Sequence, residues 1–338
     1  MRIAYLLEST ALSGGVQIVL RQAEALARRG HRVTVVSPAA APRWFPLARA
    51  RFERSSFRES SELAAAEIRL ATFWTTVGPA LRGAQGPVFH LCQGYEGGFS
   101  FYADRREAID QAYRAPTRKL TVSAALATRL KELGFGPAEN VGQAFDRTIF
   151  FPAPARAGDG PPTVLLVGPF AADVKGIGVA LEGLLLWRTR GARFRLRRVS
   201  TESPTAQEEA SRLIDEYHHR IDPDRMPFAY RASDLFVGPS RAQEGFGLPV
   251  LEALSCGLPC VLSDTPAHRE IAGDAAWYFA DGDPESLAAA LPSADTPEAR
   301  ARARREGPAA AARFDPDAVA ANLERAFFAA FSETKRIP

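Results

Sequence analysis

Residues 240–260 read Ser-Arg-Ala-Gln-Glu-Gly-Phe-Gly-Leu-Pro-Val-Leu-Glu-Ala-Leu-Ser-Cys-Gly-Leu-Pro-Cys. The small, glycine-rich beginning and the apolar, Ala- and Leu-rich continuation predict a loop that leads into a helix. Gly245 and Gly247 allow backbone N–H groups to approach a ligand closely, and the N-terminus of the helix behind them favours an anion. The stretch therefore predicts an anion-binding loop at the start of a helix.

Two carboxylates flank this loop. Glu244 lies within it, and Glu252 follows eight residues later, about two helical turns on. A carboxylate accepts hydrogen bonds and cannot donate them. The pair therefore suits a ligand that is anionic in the middle and rich in hydroxyls at both ends, such as a nucleotide sugar. The alternative is that Glu244 is a solvated loop charge and Glu252 an ordinary helix residue.

The segment from Glu244 to Glu252, with Gly-Phe-Gly-Leu-Pro between, resembles the two-glutamate signature of retaining glycosyltransferase family 4, which has the GT-B fold. The likeness continues upstream over residues 230–240 and downstream through residues 256–259 to residues 270–271. It implies an α/β protein with two Rossmann-like, doubly wound domains facing a cleft.

The resemblance also implies roles for single residues of the second domain. Glu252 would bind the ribose hydroxyls of a nucleotide-diphosphate donor, and Glu244 its sugar hydroxyls. Lys175, whose Lys-Gly sequence matches the family pattern, would bind the diphosphate. The other donor-binding positions are Gly245, Phe246, Gly247 and Leu248 in the loop, and Arg220 and Ile221 near the nucleobase, mainly through backbone atoms. The family has an Arg where this chain has Pro169, which removes one cation from leaving-group stabilisation.

The first domain begins with a pattern typical of a βαβ unit. Residues 3–7 predict a buried parallel strand, residues 16–29 an amphipathic helix, and residues 31–36 the next strand. Ligands of such sheets lie at the carboxyl ends of the strands. Gly14 and Gly15 occupy that position and resemble the family's glycine loop, which implies a place on the donor-phosphate side.

A second candidate site follows the predicted strand of residues 87–92. Gln93, Tyr95 and Glu96 belong to a Gln-x-Tyr-Glu-x-x-Phe sequence that resembles transferases of deoxyhexoses such as rhamnose, used in surface-polysaccharide assembly. The resemblance places these side chains against the sugar or the acceptor hydroxyl. Glu96 would accept the acceptor's proton or hold a hydroxyl. The alternative is a glycine turn with a solvated Glu96.

Positive charge is concentrated in the first half of the chain. Residues 1–150 carry 20 Lys and Arg against 13 Asp and Glu, a net charge of +7, whereas the remainder carries −4. From Arg43 to Phe57, arginines are interleaved with aromatic residues. This pattern favours a peripheral membrane contact or an acceptor-binding face. The alternatives are solvated surface charge and an exposed loop whose aromatics anchor it to the domain.

Composition limits the class of protein. A chain of 338 residues with 46% hydrophobic and 24% charged residues predicts two soluble globular domains. No run of 18 apolar residues occurs, so no membrane-spanning helix is expected. Cys92, Cys256 and Cys260 show no metal spacing and indicate reduced thiols in a cytoplasmic protein. The basic residues lie outside any recognised nucleic-acid module, so no nucleic-acid partner is expected.

The patterns divide the chain into an acceptor-binding domain of residues 1–152, a Pro- and Gly-rich linker, and a donor-binding domain of residues 163–315. The resemblance places the C-terminal helix of residues 316–338 back on the N-terminal domain. Within the second domain, residues 207–217 predict a helix.

The resemblance, taken with these patterns, implies a hexosyltransferase-type glycosyltransferase, cytoplasmic or peripheral on the inner face of the membrane. It would move a sugar from a dTDP-, UDP- or GDP-linked donor to a hydroxyl acceptor with retention. No metal or other cofactor is expected, since no ligand cluster is visible in the sequence and the resemblance requires none. One alternative, favoured by Pro169, is a non-catalytic nucleotide-sugar-binding protein. The other is a nucleotide-sugar epimerase of the same fold, for which Glu96 is the clear acid–base candidate.

Overall fold

The computed structural model describes residues 1–153 and 160–334. It divides into two compact units, of which the first comprises Met1–Phe145 with the segment from Phe314 onward, and the second Asp146–Arg313. Residues 154–159, in the middle of the predicted linker, and residues 335–338 lie outside the described part.

The first unit is built on a parallel sheet of seven strands. These are β1 (Arg2–Leu6), β2 (Arg32–Ser37), β3 (Arg51–Arg54), β4 (Ile68–Ala71), β5 (Val88–Cys92), β6 (Arg118–Thr121) and β7 (Ala138–Asn140). They are ordered β3-β2-β1-β4-β5-β6-β7, and every pair is parallel. The central strands β1, β4 and β5 are buried almost throughout, which explains why their sequences are mostly apolar, although β4 also buries Arg69 and β5 buries His90.

The second unit is built on a parallel sheet of six strands. These are β8 (Thr163–Val167), β9 (Arg195–Ser200), β10 (Ile214–His219), β11 (Leu235–Gly238), β12 (Cys260–Ser263) and β13 (Trp277–Phe279). Their order is β10-β9-β8-β11-β12-β13. Counted within each unit, both sheets run 3-2-1-4-5-6, and the first sheet adds a seventh strand. This is the doubly wound order, in which right-handed crossovers place helices on both faces. The predicted fold class is confirmed.

The helices connect the strands. They are α1 (Gly14–Arg28), α2 (Ser61–Ala65), α3 (Trp74–Leu81), α4 (Arg106–Arg114), α5 (Ala124–Glu132), α6 (Ile177–Thr189), α7 (Ala206–Ala210), α8 (Met226–Arg231), α9 (Leu248–Ser255), α10 (Pro266–Ala272), α11 (Pro284–Ala294), α12 (Pro297–Ala311) and α13 (Pro316–Thr334). Many begin at a Ser, Thr or Asp that accepts a hydrogen bond from a first-turn N–H, as Ser13 does from Val16 and Thr265 from His268. None of the described helices is long and apolar enough to cross a bilayer.

The helix predicted over residues 207–217 is wrong. α7 ends at Ala210, and Ile214–His219 form β10, which pairs with β9. Arg212 has a positive φ of 51°, which turns the chain out of the helix, and Leu213 is 1% exposed. Hydrogen bonding to a neighbouring strand overrides the local helix propensity here.

The boundary between the units lies earlier than the predicted limit at residue 152. Residues 146–151 belong to the second unit, because Phe150 packs there. Its carbonyl accepts a hydrogen bond from Ser255 at 2.7 Å, and its ring lies 5.8 Å from that of Tyr230. The C-terminal helix α13 packs on the first unit, where the Phe327 ring lies 5.0 Å from that of Phe89.

Candidate functional site

The candidate donor site of the second unit is organised by the turn at Lys175. A short 3-10 turn, Asp173–Lys175, ends at Gly176, which has a φ of +62°. A Cβ at Gly176 would lie 2.1 Å from the Pro239 carbonyl oxygen, so only glycine allows this approach. The Arg241 N–H donates to the Val174 carbonyl at 2.8 Å. The Lys175 turn is therefore fixed directly against the loop that follows β11.

Lys175 and Glu244 form an ion pair across this junction. The two side chains are 26% and 15% exposed, so the pair is sheltered and still reachable. Burial alone raises the pKa of the Glu244 carboxyl, but the charge and hydrogen bond of Lys175 outweigh it and hold the pKa below its ordinary value. Glu244 Oε2 is buried and has no hydrogen-bond partner among the described residues. Its acceptor capacity is therefore unused in this structure.

The predicted loop continues from Glu244 and leads directly into the predicted helix, α9. Gly247 is the N-cap of α9 with a φ of +120°, a conformation that L side chains rarely adopt. Phe246 is 4% exposed, so its ring belongs to the core of the unit. Leu248 opens the first turn of α9, whose N–H groups and dipole favour an anion.

Glu252 lies further along α9 and is 8% exposed. One of its carboxylate oxygens accepts a hydrogen bond from the Tyr230 hydroxyl at 2.7 Å. Tyr230 is fully buried, and burial next to Glu252 raises the pKa of its hydroxyl, so it remains a donor. The structure therefore fixes the orientation of the Glu252 carboxylate through a tyrosine on α8.

Arg220 and Ile221 lie just beyond the end of β10. Arg220 has a φ of +54°, and its side chain donates to the Thr201 carbonyl at 3.1 Å. Its N–H donates to the Ser200 carbonyl at 2.8 Å. The two residues thus form a turn at the carboxyl edge of the sheet, with Arg220 committed to backbone acceptors.

His268, which sequence reasoning missed, lies beside Gly247 in the loop that precedes α9. It is 1% exposed, and its Nδ1 lies 2.9 Å from the Ser263 carbonyl. Because a carbonyl only accepts, Nδ1 carries the hydrogen. Burial lowers the pKa of the imidazole, so His268 is neutral with Nε2 as an acceptor. Nε2 lies 3.5 Å from where a Cβ on Gly247 would stand. No local sequence signal separates this histidine from an ordinary core residue.

A buried cation lies near Pro169, but it is not free to bind a ligand. Arg198 is fully buried and forms an ion pair with Glu208 at 2.7 Å. Its guanidinium also donates to the carbonyls of Leu166 at 3.0 Å and Gly168 at 2.7 Å. Arg198 therefore fixes the turn at Gly168, next to Pro169, while Glu208 balances its charge.

The candidate site of the first unit joins the two predicted glycines to Gln93. Gly14 and Gly15 form the first turn of α1 and not the loop before it. Gln93 Nε2 donates to the Gly15 carbonyl at 3.2 Å. Gln93 Oε1 lies 3.2 Å from where a Cβ on Gly15 would stand, and it has no partner among the described residues. Gln93 is therefore placed at the helix N-terminus with a free acceptor.

Tyr95 is packed in the core of the first unit, and its predicted contact with the sugar or the acceptor stays a prediction. Tyr95 is 5% exposed, and its hydroxyl donates to Asp110 at 2.5 Å. Its ring packs 5.4 Å from that of Tyr113 and 5.3 Å from that of Phe135. An aromatic ring is bound into the core here because its apolar area is large and Asp110 satisfies its one polar atom.

Glu96 lies just after β5. It is neither a solvated turn residue nor a solvent-exposed carboxylate. It is 7% exposed, and its carboxyl accepts a hydrogen bond from the Tyr113 hydroxyl at 2.6 Å. Burial raises the pKa of Glu96 to about 7, although the Tyr113 hydrogen bond acts in the opposite direction. Near neutral pH this group exists in both protonation states.

Within residues 1–153 and 160–334, no group of three or more His, Cys, Asp or Glu side chains is placed to hold a metal ion. The predicted independence from metals stays a prediction.

Comparison with known proteins places these features in context. Residues 161–294 match the family model described as "Glycosyl transferases group 1". The structure is similar to that of Anabaena HepE in complex with UDP-glucose, with a TM-score of 0.77 over 97% of this chain and 99% of that chain, at 16% sequence identity. The chain has the GT-B fold.

Sequence relatives are similar over very different lengths. The O-antigen chain mannosyltransferase B of Escherichia coli is 41% identical over 69 residues, which are 20% of this chain and only 18% of that protein. The phosphatidyl-myo-inositol mannosyltransferase of Mycolicibacterium smegmatis is 26% identical over 315 residues, 82% of this chain and 80% of that protein. The GT-B fold thus extends over nearly the whole chain, whereas the stronger sequence identity is confined to a short part.

Proposed function

We propose that this protein is a retaining glycosyltransferase that moves a hexose from a nucleotide-diphosphate donor to a hydroxyl acceptor. The observation that carries the proposal is the Lys175–Glu244 ion pair at the start of α9. It brings together a cation for the diphosphate, an unpartnered carboxylate oxygen for a sugar hydroxyl, and a helix N-terminus. The family match over residues 161–294 and the fold shared with a UDP-glucose-binding protein support it.

Each group contributes a distinct interaction. Lys175 and the N–H groups at the start of α9 would hold the diphosphate and stabilise the charge that develops on it as the glycosidic bond breaks. Glu244 would orient the sugar through its hydroxyls, and His268 Nε2 offers a second acceptor near Gly247. Glu252, oriented by Tyr230, would bind the ribose. Attack from the face that the leaving group vacates would retain the anomeric configuration.

The first unit would contribute to acceptor recognition. Gln93 presents an unpartnered amide oxygen beside the first turn of α1. Glu96, with a pKa of about 7, is suited to accept a proton near neutral pH. Tyr95 holds this loop in place and makes no ligand contact in this proposal.

The experiment is a donor screen followed by a transfer assay. Thermal unfolding of the full chain is measured with UDP, GDP and dTDP and with their glucose, mannose and rhamnose conjugates. A matched donor stabilises the folded state by about 3 kcal/mol at a hundred times its Kd. Transfer to saccharide and lipid-linked acceptors is then followed by nucleotide release, and NMR of the product's anomeric proton reports the configuration. Absence of any stabilising nucleotide or sugar nucleotide would contradict the proposal.

A second candidate, a non-catalytic nucleotide-sugar-binding protein, is favoured by the surroundings of Pro169. Arg198, whose guanidinium donates to that turn, is buried and forms an ion pair with Glu208. Donor binding without transfer to any acceptor, and without donor hydrolysis, would select this candidate. Formation of an epimer from the donor alone would instead select the epimerase alternative.

A further inference from the structure

A row of arginines lines the open edge of the first unit's sheet. β3 is the outermost strand of that sheet and pairs with β2 alone. The five arginines of β3 and its flanking segments are all exposed: Arg43, Arg49, Arg51, Arg54 and Arg58. We call residues 43–58 the arginine edge. Its five arginines stand against a single glutamate, Glu53, so its net charge is +4.

None of these five side chains forms a hydrogen bond or ion pair with any described residue. Glu53 accepts a hydrogen bond from Ser60 at 2.7 Å. By contrast, Arg32 on the neighbouring strand is paired with Glu62 at 2.5 Å. The charge of the arginine edge is therefore unneutralised within the described chain, whereas that of Arg32 is balanced.

The backbone beneath this charge is held firmly. Glu24 of α1, 9% exposed, accepts hydrogen bonds from the N–H groups of Ala48, Arg49 and Ala50 at 2.9 to 3.0 Å. The Trp44 indole donates to the Thr10 carbonyl at 3.0 Å. The aromatic ring of Phe57 packs against the buried cluster around Leu63. The arginines thus project from an ordered scaffold and not from a free loop.

We propose that the arginine edge binds the anionic surface of a membrane. Side chains on successive strand positions point to opposite faces, so the charges spread along the edge and do not converge on one point. A single phosphate needs convergent donors, whereas a lipid surface offers many phosphates in a plane. Half-buried Trp44 and Phe45 can enter the headgroup region, where amphipathic rings are favoured. This inference does not depend on the proposed transferase activity.

The test is sedimentation of the full chain with vesicles. Binding is expected to vesicles of phosphatidylcholine with one third phosphatidylglycerol, not to phosphatidylcholine alone, and to fall steeply with salt. In a triple variant, Arg49→Gln, Arg51→Gln and Arg54→Gln, the partition coefficient should fall about 100-fold, since each surface arginine contributes about fivefold. The matched control removes three ion-paired arginines of α12, of which Arg300 and Arg302 are half-buried and Arg305 is exposed. The variant Arg300→Gln, Arg302→Gln and Arg305→Gln should bind as the wild type does.

Other outcomes would overturn the proposal. Charged residues also protect open sheet edges from pairing with another chain. If that is the whole role of these arginines, the wild type does not bind mixed vesicles, and the triple variant self-associates in analytical ultracentrifugation. Competition by millimolar inorganic phosphate at constant ionic strength would indicate a discrete phosphate site. Equal loss of binding in the α12 control would indicate net charge alone. Circular dichroism confirms that both variants are folded.

Discussion

Lys175 is the residue on which the proposed chemistry depends most directly. In Lys175→Ala the leaving diphosphate loses one cation, so turnover should fall about 10²- to 10³-fold, as on removal of one oxyanion donor. Initial rates under saturating donor measure this effect. Lys131→Ala, an exposed lysine on α5, is the control. Lys175→Ala also leaves the Glu244 carboxylate without its partner, which could destabilise the fold. The double variant Lys175→Ala with Glu244→Gln has no unpaired carboxylate, so it separates the loss of the lysine charge at the diphosphate from a loss of stability. Undiminished turnover in Lys175→Ala would contradict the assignment.

Glu96 provides a pH dependence at the same scale. Its folded-state pKa of about 7 lies above its ordinary value, so the folded protein keeps a proton that the unfolded chain releases. This stabilisation is complete below the ordinary pKa and is lost as pH rises through about 7, with a total on the order of 3 kcal/mol. Glu96→Gln has no proton to lose.

Urea unfolding at pH 5 and pH 8 checks this prediction. The wild type should lose more stability than Glu96→Gln between the two pH values, while exposed Glu139→Gln should follow the wild type. A parallel fall in all three proteins would show that burial does not shift the Glu96 carboxyl.

At the scale of elements, the approach of the Lys175 turn to the end of β11 can be tested through Gly176. In Gly176→Ala the new Cβ would lie 2.1 Å from the Pro239 carbonyl oxygen at a φ of +62°, and the expected cost is about 2–4 kcal/mol. Gly191 also has a positive φ, but a Cβ there would have no atom within 4 Å. Gly191→Ala should therefore lose only about 1–2 kcal/mol of stability, from the backbone conformation alone. Equal losses of stability in the two variants would show that the close approach is relaxed in solution.

At the scale of the whole molecule, α13 brings the end of the chain back to the first unit. Phe327 is fully buried against Phe89, and Glu324 bonds to Arg29 at 2.6 Å and His31 at 2.8 Å. Phe327→Ala should therefore destabilise the protein by about 3–5 kcal/mol. Phe328→Ala, one residue on and 56% exposed, should change stability little. Chemical unfolding of the two variants measures the difference in stability. Similar unfolding midpoints would mean that α13 is not packed on the first unit.

The amino-acid sequence by itself determined the fold class, most strands, and the loop and helix of residues 240–260. These features depend on local patterns: apolar runs for buried strands, and glycines before an apolar helix. The residues of the proposed donor site, Lys175 with Glu244 and Glu252, were also identified in the sequence, through its resemblance to a known family.

Only the tertiary structure decided which groups meet. Tyr230 donates to Glu252 on α9, His268 faces Gly247 of the loop, and Arg198 fixes the Pro169 turn through a buried ion pair. The structure also buries Tyr95 with its hydroxyl bonded to Asp110, and it places residues 214–217, predicted as helix, in strand β10. Burial, pKa and pairing are set by neighbours distant in sequence, so local patterns carry no record of them.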